Sequence, residues 1–172
     1  IKKRIYELNN MFKDYPLIKE GKNAITQFYP HVPKNYLSAM KRVFKTRWIG
    51  QGPLGDKLEI IFSKKFTSNQ PAVAVGSGTD ALHLAYILAG IKKNDEVICP
   101  LFTCTATNIP LLYIGAKIKF ADIDEKTMNI NIESVKKLIT KKTKAIVFVN
   151  YGGLPCNLDA LKKITKNKKI TL

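Results

Sequence analysis

Cysteine and histidine are scarce in this chain, and each shortage closes off a class of protein. Cys99, Cys104 and Cys156 are the only three cysteines in 172 residues, an odd number without a C-x-x-C spacing, which is no disulfide framework and favours a reducing, cytoplasmic setting. His31 and His83 are the only histidines, and with these cysteines they give none of the paired spacings that zinc requires, so no metal site is expected. Two isolated histidines also leave no Ser-His-Asp or Cys-His arrangement to argue for. No window approaches the roughly 18 apolar residues of a membrane span. The opening IKKRIYELNN lacks the apolar segment of a signal peptide, so a soluble protein with no membrane partner is expected.

Thirteen acidic residues face 29 lysines and arginines, a formal charge of +16. A field of that sign raises nucleic acid or an anionic surface as a partner. Much of it is concentrated in residues 136–144 and 162–169. There Leu138, Ile139, Leu161 and Ile164 recur at helical spacing, so these lysines read as solvated helix faces. Without an arginine-rich or aromatic-studded stretch, no nucleic-acid partner is expected. Small molecules that carry phosphate would feel the same field. With 45% hydrophobic and 24% charged residues, a chain of this length supports a sizeable core and buries roughly 70% of its unfolded surface.

The chain begins at Ile1 and closes on a β-rich run that opens at Ile170, which reads as a fragment. Residues 1–30, interrupted by Pro16, Gly21 and Pro30, read as an extension or arm. Helical periodicity follows over residues 34–45, on Leu37, Met40 and Phe44, and over residues 54–66, on Leu58, Ile61 and Phe62; between them lies a loop from Trp48 to Pro53. A short apolar run followed by a helical one then recurs. Strands are expected at 72–75, 96–99, 117–123 and 145–150, with a further one unfinished at Ile170; helices are expected at 79–89, 103–113, 132–139 and 158–166. This alternation predicts an α/β fold, a mainly parallel sheet with helices on both faces. Right-handed crossovers place the strand ends along one edge, where ligands bind.

The most informative stretch is AVAVGSGTDALHLAYILAG, residues 72–90. An apolar run leads straight into Gly76, Ser77, Gly78 and Thr79, where a helix starts that ends at Gly90. Free N–H groups, small residues and two hydroxyls at a helix start make an anion site suited to phosphate. The plainer reading is that Ser77 or Thr79 only caps the helix. The same residues satisfy a relaxed G-x-G-x-x-G/A dinucleotide fingerprint, but the second strand ends at Cys99 and Pro100 where an acidic residue would be required. A triphosphate loop at GQGPLGDK, residues 50–57, fails because Asp56 follows Gly55 where lysine must stand. A second stretch, PLFTCTATNIPLLYIGA (100–116), carries hydroxyls at Thr103, Thr105 and Thr107, and a third, VNYGGLPCNLD (149–159), ends a strand in a Gly-rich turn. All three would open on one edge. His83 reads as a packing or solvent-facing residue.

Five blocks, in this order, resemble the DegT/DnrJ/EryC1/StrS nucleotide-sugar aminotransferases: RWIGQGPLGDKLE, AVAVGSGTDALHLA, NDEVICPLFTCTATN, GAKIKFADIDEKTMNIN and TKAIVFVNYGGLPCNLDAL. The resemblance covers residues 31–172 and implies the N-terminal part of the large domain of a fold-type I pyridoxal-phosphate transferase. It implies that Ser77, Gly78 and Thr79 hold the pyridoxal phosphate and that Thr103 and Cys104 lie against the cofactor, Cys104 standing where the family usually has an aromatic residue. Trp48, Ile49 and Gly50 look like the loop near the sugar-nucleotide site. The family's Schiff-base lysine and the Asp that pairs with the pyridine nitrogen would both lie beyond Leu172, so the resemblance assigns no catalytic residue within this chain, which alone would be inactive. The implied full-length reaction is amino transfer, from glutamate, to a nucleotide-linked keto sugar in polysaccharide biosynthesis, by a homodimer. A dehydratase of the same family and a non-catalytic chain that binds phosphate-bearing ligands are the other readings.

Overall fold

A computed structural model describes residues 29–172. The arm expected over residues 1–30 lies outside the described residues except for Tyr29 and Pro30. The chain forms two units, Ile1–Ile61 and Phe62–Leu172. In the first, helix α1 (Tyr36–Thr46) ends where Arg47 turns into the left-handed region at φ 65°, and its N–H is accepted by the Phe44 carbonyl. The expected stripe of Leu37, Met40 and Phe44 forms on α1 and lies exposed. Helix α2 (Pro53–Phe66) starts on proline, whose missing N–H costs nothing in a first turn.

The second unit holds the sheet. Helix α3 (Gly78–Leu88) leads to strand β1 (Glu96–Pro100), helix α4 (Thr105–Ile114) to β2 (Lys117–Ala121), and helix α5 (Ile132–Leu138) to β3 (Thr143–Ile146). A 3₁₀ turn (Tyr151–Gly153) and helix α6 (Leu158–Thr165) follow. The strands lie in the order β2-β1-β3 and both pairings are parallel. Beyond α6, where an unfinished strand is expected from Ile170, Thr171 makes a single isolated parallel bridge to Ala145.

The apolar central strand is buried on both sides, as a parallel strand between two helical layers must be. Val97 and Cys99 pack with Tyr86, Leu111 and Ala145 on one face. Ile98 packs with Val135, Ile146, Cys156 and Leu161 on the other. Ile98, Leu111, Ile146 and Leu161 are fully buried, each contributing roughly 1.5–3 kcal/mol relative to exposure. Cys99 and Cys156 therefore stand on opposite faces of the sheet, and all three cysteines are free thiols.

The strand predicted at 72–75 does not form: these residues belong to none of the described strands, and Val73 is 71% exposed. An apolar run becomes a strand only where a neighbour offers a hydrogen-bonding edge. The predicted 117–123 strand closes at Ala121; Ile123 instead bridges antiparallel to Ile130 across a turn. The predicted 145–150 strand lies earlier, at Thr143–Ile146. Residues beyond it leave the ladder after one last bond, Val147 N–H to the Ile98 carbonyl at 2.8 Å.

Candidate functional site

The strand order reverses at β1. From β1 the chain passes to β2 through α4 on one face, whereas from β2 it passes over β1 to β3 through α5 on the other, as right-handed crossovers demand. By the topological rule a ligand crevice is expected past the C-terminal ends of β1 and β3. Residues 101–104 enter it from β1, and residues 147–157 from β3. Phe102 and Tyr151 join these two loops directly, their ring centroids 5.3 Å apart and their planes tilted by 47°.

Helix α3 brings a third segment to the same edge. Its C-terminal connection lies beside that of α4, because Asn94 N–H donates to the Gly115 carbonyl at 2.9 Å. Along their length the two helices are tied by the Tyr86 hydroxyl, which donates to the Thr107 carbonyl at 2.9 Å. The C-terminal connections of both helices thus lie at the edge where strands begin; α4 starts at Cys104, just past the end of β1, and α3 starts at Ser77. Burial, and then the nearby Cys99 thiol, push the Tyr86 phenol from 10.0 up to about 12. Burial alone pushes Cys99 from 9.0 up to about 12. Both groups are thus neutral struts.

At the start of α3, Ser77 is the N-cap: its hydroxyl accepts the Asp80 N–H at 3.1 Å and donates to the Asp80 carboxylate at 2.9 Å. Ser77 therefore caps the helix. It leaves the Gly78 and Thr79 N–H groups, which have no intrahelical acceptor, and the half-buried Thr79 hydroxyl. A methyl group at Gly78 would meet nothing within 4 Å, so the space above the helix end is open, while one at Gly76 would meet Asp80 Oδ2 at 3.0 Å. Uncharged donors at the positive end of a helix dipole suit a phosphate-sized anion.

At the start of α4, the Thr103 and Thr107 hydroxyls hydrogen-bond each other at 2.9 Å. Cys104 is the N-cap residue and makes no side-chain cap bond. Its thiol is exposed. Asn108 Oδ1, further along α4, is buried without a hydrogen-bond partner and has acceptor capacity to spare. No group of three His, Cys, Asp or Glu residues among the described residues is arranged to hold a metal ion.

Two features of this edge escaped the sequence reading. One is the Phe102–Tyr151 pair. The other is Asn129, 5% exposed, which pins the loop after β3. Its Nδ2 donates to the Leu154 and Pro155 carbonyls at 3.1 and 3.4 Å, and its Oδ1 accepts the Tyr151 N–H at 3.0 Å. Asn129 is itself presented by a turn organised by Asp124, whose carboxylate accepts the Thr127 N–H and hydroxyl, each at 2.9 Å. Those bonds hold Asp124 below the usual carboxylate range. Nothing short of the fold signals Asn129, since its partners lie 22–26 residues away.

Trp48, Ile49 and Gly50 belong to the first unit. Together with Arg42, Leu54 and Lys57 they line a largely apolar cavity of about 600 Å³ between α1 and the start of α2.

The sequence profile of the DegT/DnrJ/EryC1/StrS aminotransferase family matches residues 30–172. The chain belongs to this family. A curated relative, the uncharacterized protein MJ1066 of Methanocaldococcus jannaschii, is 36% identical over 140 residues, 81% of this chain and 36% of the relative. Among solved structures, E. coli GDP-4-keto-6-deoxy-D-mannose-3-dehydratase with bound hydrated PLP superposes with a TM-score of 0.74 at 35% identity, over 83% of this chain and 38% of that one. An aminotransferase from Psychrobacter cryohalolentis gives a TM-score of 0.74 at 32% identity, over 84% and 37%. This DegT-family chain thus spans little more than a third of the length of the relatives it matches, and what it matches is the N-terminal part of a fold-type I PLP enzyme. Among the described residues no helix is long and apolar enough to cross a membrane.

Proposed function

We propose that the full-length protein is a pyridoxal-phosphate-dependent transferase that moves an amino group, from glutamate, to a keto sugar carried on a nucleotide. The observation that supports this reading is the open, Ser77-capped N-terminus of α3 beside a parallel-sheet switch point whose two loops are joined by Phe102 and Tyr151. Gly78 and Thr79 bind the cofactor phosphate through their N–H groups and the Thr79 hydroxyl. Ser77, committed to its cap, fixes the direction of those donors. Thr103 braces the first turn of α4, and Cys104 sets a polarizable thiol against the ring. When bound, pyridoxal phosphate supplies the electron sink that lets a proton leave the carbon bearing the transferred nitrogen. Phe102 and Tyr151 join the two loops over the crevice and exclude water from it.

Trp48, Ile49 and Gly50, on the wall of their apolar cavity, contact the sugar nucleotide. The exposed stripe of Leu37, Met40 and Phe44 on α1 supports a homodimer; a full-length protein that runs as a strict monomer at micromolar concentration would refute it. No lysine occurs in residues 72–91, 100–116 or 145–161, so residues 1–172 alone are expected not to turn over a keto sugar. The similarity to a dehydratase favours a second reading, loss of a sugar hydroxyl with the same cofactor. Incubating full-length protein with pyridoxal phosphate, glutamate and GDP-4-keto-6-deoxymannose separates the two. An amino sugar with stoichiometric 2-oxoglutarate supports amino transfer. A deoxygenated sugar supports dehydration, and no cofactor-dependent product refutes both.

A further inference from the structure

The opposite edge of the sheet, where the strands begin, gathers an unusual density of positive charge. A cleft of about 430 Å³ there is lined by Lys93, Lys117, Lys141, Lys142, Lys144 and Lys169, with Asp95 as its one acidic residue. These six side chains come from four separate connections, those entering β1, β2, β3 and the bridge at Thr171, and parallel topology alone brings them together. None of the six makes an ion pair among the described residues. Asp95 already accepts the Lys92 N–H at 2.8 Å. Glu96, at the mouth of β1, is held by Lys119 at 2.8 Å and by the Thr140 hydroxyl.

Helix dipoles offer one structural reason for lysines here, because α3 to α6 all end at this edge. Each helix C-terminus carries about half a negative charge, so four ends neutralise about two of the five surplus positive charges. Lys142 also feels the Glu96 carboxylate; the rest of the surplus has no carboxylate in the lining to offset it beyond Asp95. A second feature points the same way. Thr143, 6% exposed, lines the cleft, and its hydroxyl accepts the Thr140 N–H at 2.9 Å, which leaves its proton free to donate. The volume falls within the roughly 300–1,000 Å³ of small-ligand sites. The lining contains neither an aromatic ring nor an arginine, the groups that stack on or fork onto nucleic acid. Lysines act as point charges instead, suited to a compact anion with several charges.

We propose that this cleft is a binding site for a small oligophosphate, on the edge opposite the crevice and independent of it. Full-length protein titrated calorimetrically with inorganic tripolyphosphate should show saturable binding that weakens with added salt. Replacing Lys141, Lys142 and Lys169 together by alanine should weaken it by about tenfold or more, since each charge within several ångströms contributes about threefold in water. Replacing Lys137, Lys162 and Lys163, which lie on exposed helix faces, removes the same charge and should change affinity by less than about threefold. In wild-type protein, tripolyphosphate should also protect Lys141, Lys142 and Lys169 from acetylation, a readout that needs no variant. Equal binding of tripolyphosphate and ATP would assign the free anion, and tighter ATP binding the nucleotide form. Equal weakening in both triple variants, absence of protection, or an oligonucleotide that binds more tightly than either anion would overturn the proposal.

Discussion

Thr79→Asp tests the proposed phosphate loop with a charge rather than a truncation. Thr79 lies in the first turn of α3, half-buried, with its N–H free of any intrahelical acceptor. A carboxylate there would stand about 4 Å from a bound phosphate. Two unit charges at that distance repel by about 1 kcal/mol in water and about 4 kcal/mol near a protein surface. For a half-buried site facing a multiply charged phosphate, a loss of roughly 2–4 kcal/mol follows, or about 30- to 1,000-fold in affinity. The same carboxylate sits at the positive end of the helix dipole, which stabilises it by about 0.3–1 kcal/mol, so the cofactor-free protein should not melt earlier. Ser77→Ala gives the contrast. Its hydroxyl is spent on Asp80, so losing it should cost about 1 kcal/mol of stability as a lost cap. Titrating cofactor-free, full-length protein with pyridoxal phosphate, read by absorbance and paired with thermal melts, checks both. Affinity within twofold of wild type for Thr79→Asp, with an unchanged melt, would show that the phosphate binds elsewhere.

Asn129→Ala should destabilise the protein by roughly 2–4 kcal/mol in urea unfolding, because the Tyr151 N–H and the Leu154 carbonyl lose their buried partner; hydrogen exchange over residues 150–156 should rise, and a change below about 0.5 kcal/mol would refute the pinning role. Alkaline stability should fall between pH 9 and 12, because Cys99 and Tyr86, at 9.0 and 10.0 ordinarily, both stand at about 12 when folded. Only the unfolded chain releases these protons in that window, so their contribution is complete below pH 9 and disappears as pH rises; Cys99 alone should cost on the order of 3 kcal/mol by pH 11. Cys99→Ala should flatten that slope in melts across the range, and an unchanged slope would exclude the thiol as its source. Gly115→Ala should cost about 1 kcal/mol or more, since Gly115 has φ +79° and an added methyl would lie 3.1 Å from Lys93 Cγ; a neutral result in thermal melts would mean that this turn relaxes.

The βα alternation was legible because each element shows its own period: continuous apolar runs for strands covered on both faces, and 3.6-residue spacing for helices. Helix starts were legible where a side chain caps them, as Ser77, Asn131 and Asn157 each accept an N–H three residues on. Residues 72–75 misled for the converse reason, since composition marks a potential strand but only a partner makes one. The apolar residues Val147, Phe148 and Val149 were misread in the same way. They continue the run of β3 but belong to the loop that enters the crevice. The open end of α3 was visible as Gly76 to Thr79. The pairing of Phe102 with Tyr151 and the clamp made by Asn129 were not, because each joins residues that the topology alone brings together.

That topology also sorts the charge of the molecule. In a parallel sheet with right-handed crossovers, every helix N-terminus points to the edge where strands end and every helix C-terminus to the edge where they begin. Lysine is favoured at helix C-termini and disfavoured at N-termini, and here it is absent from the segments at 72–91, 100–116 and 145–161 that build the crevice. In the proposed function an anion at the crevice would be met by backbone N–H groups and the neutral side chains of Thr79 and Cys104, with the Asp80 carboxylate of the same turn engaged by Ser77. At the far edge the same rule accumulates Lys93, Lys117, Lys141 and their neighbours beyond what the dipoles require. Six of the lysines that read as solvating surface in one dimension are, in three dimensions, gathered at one edge of the sheet.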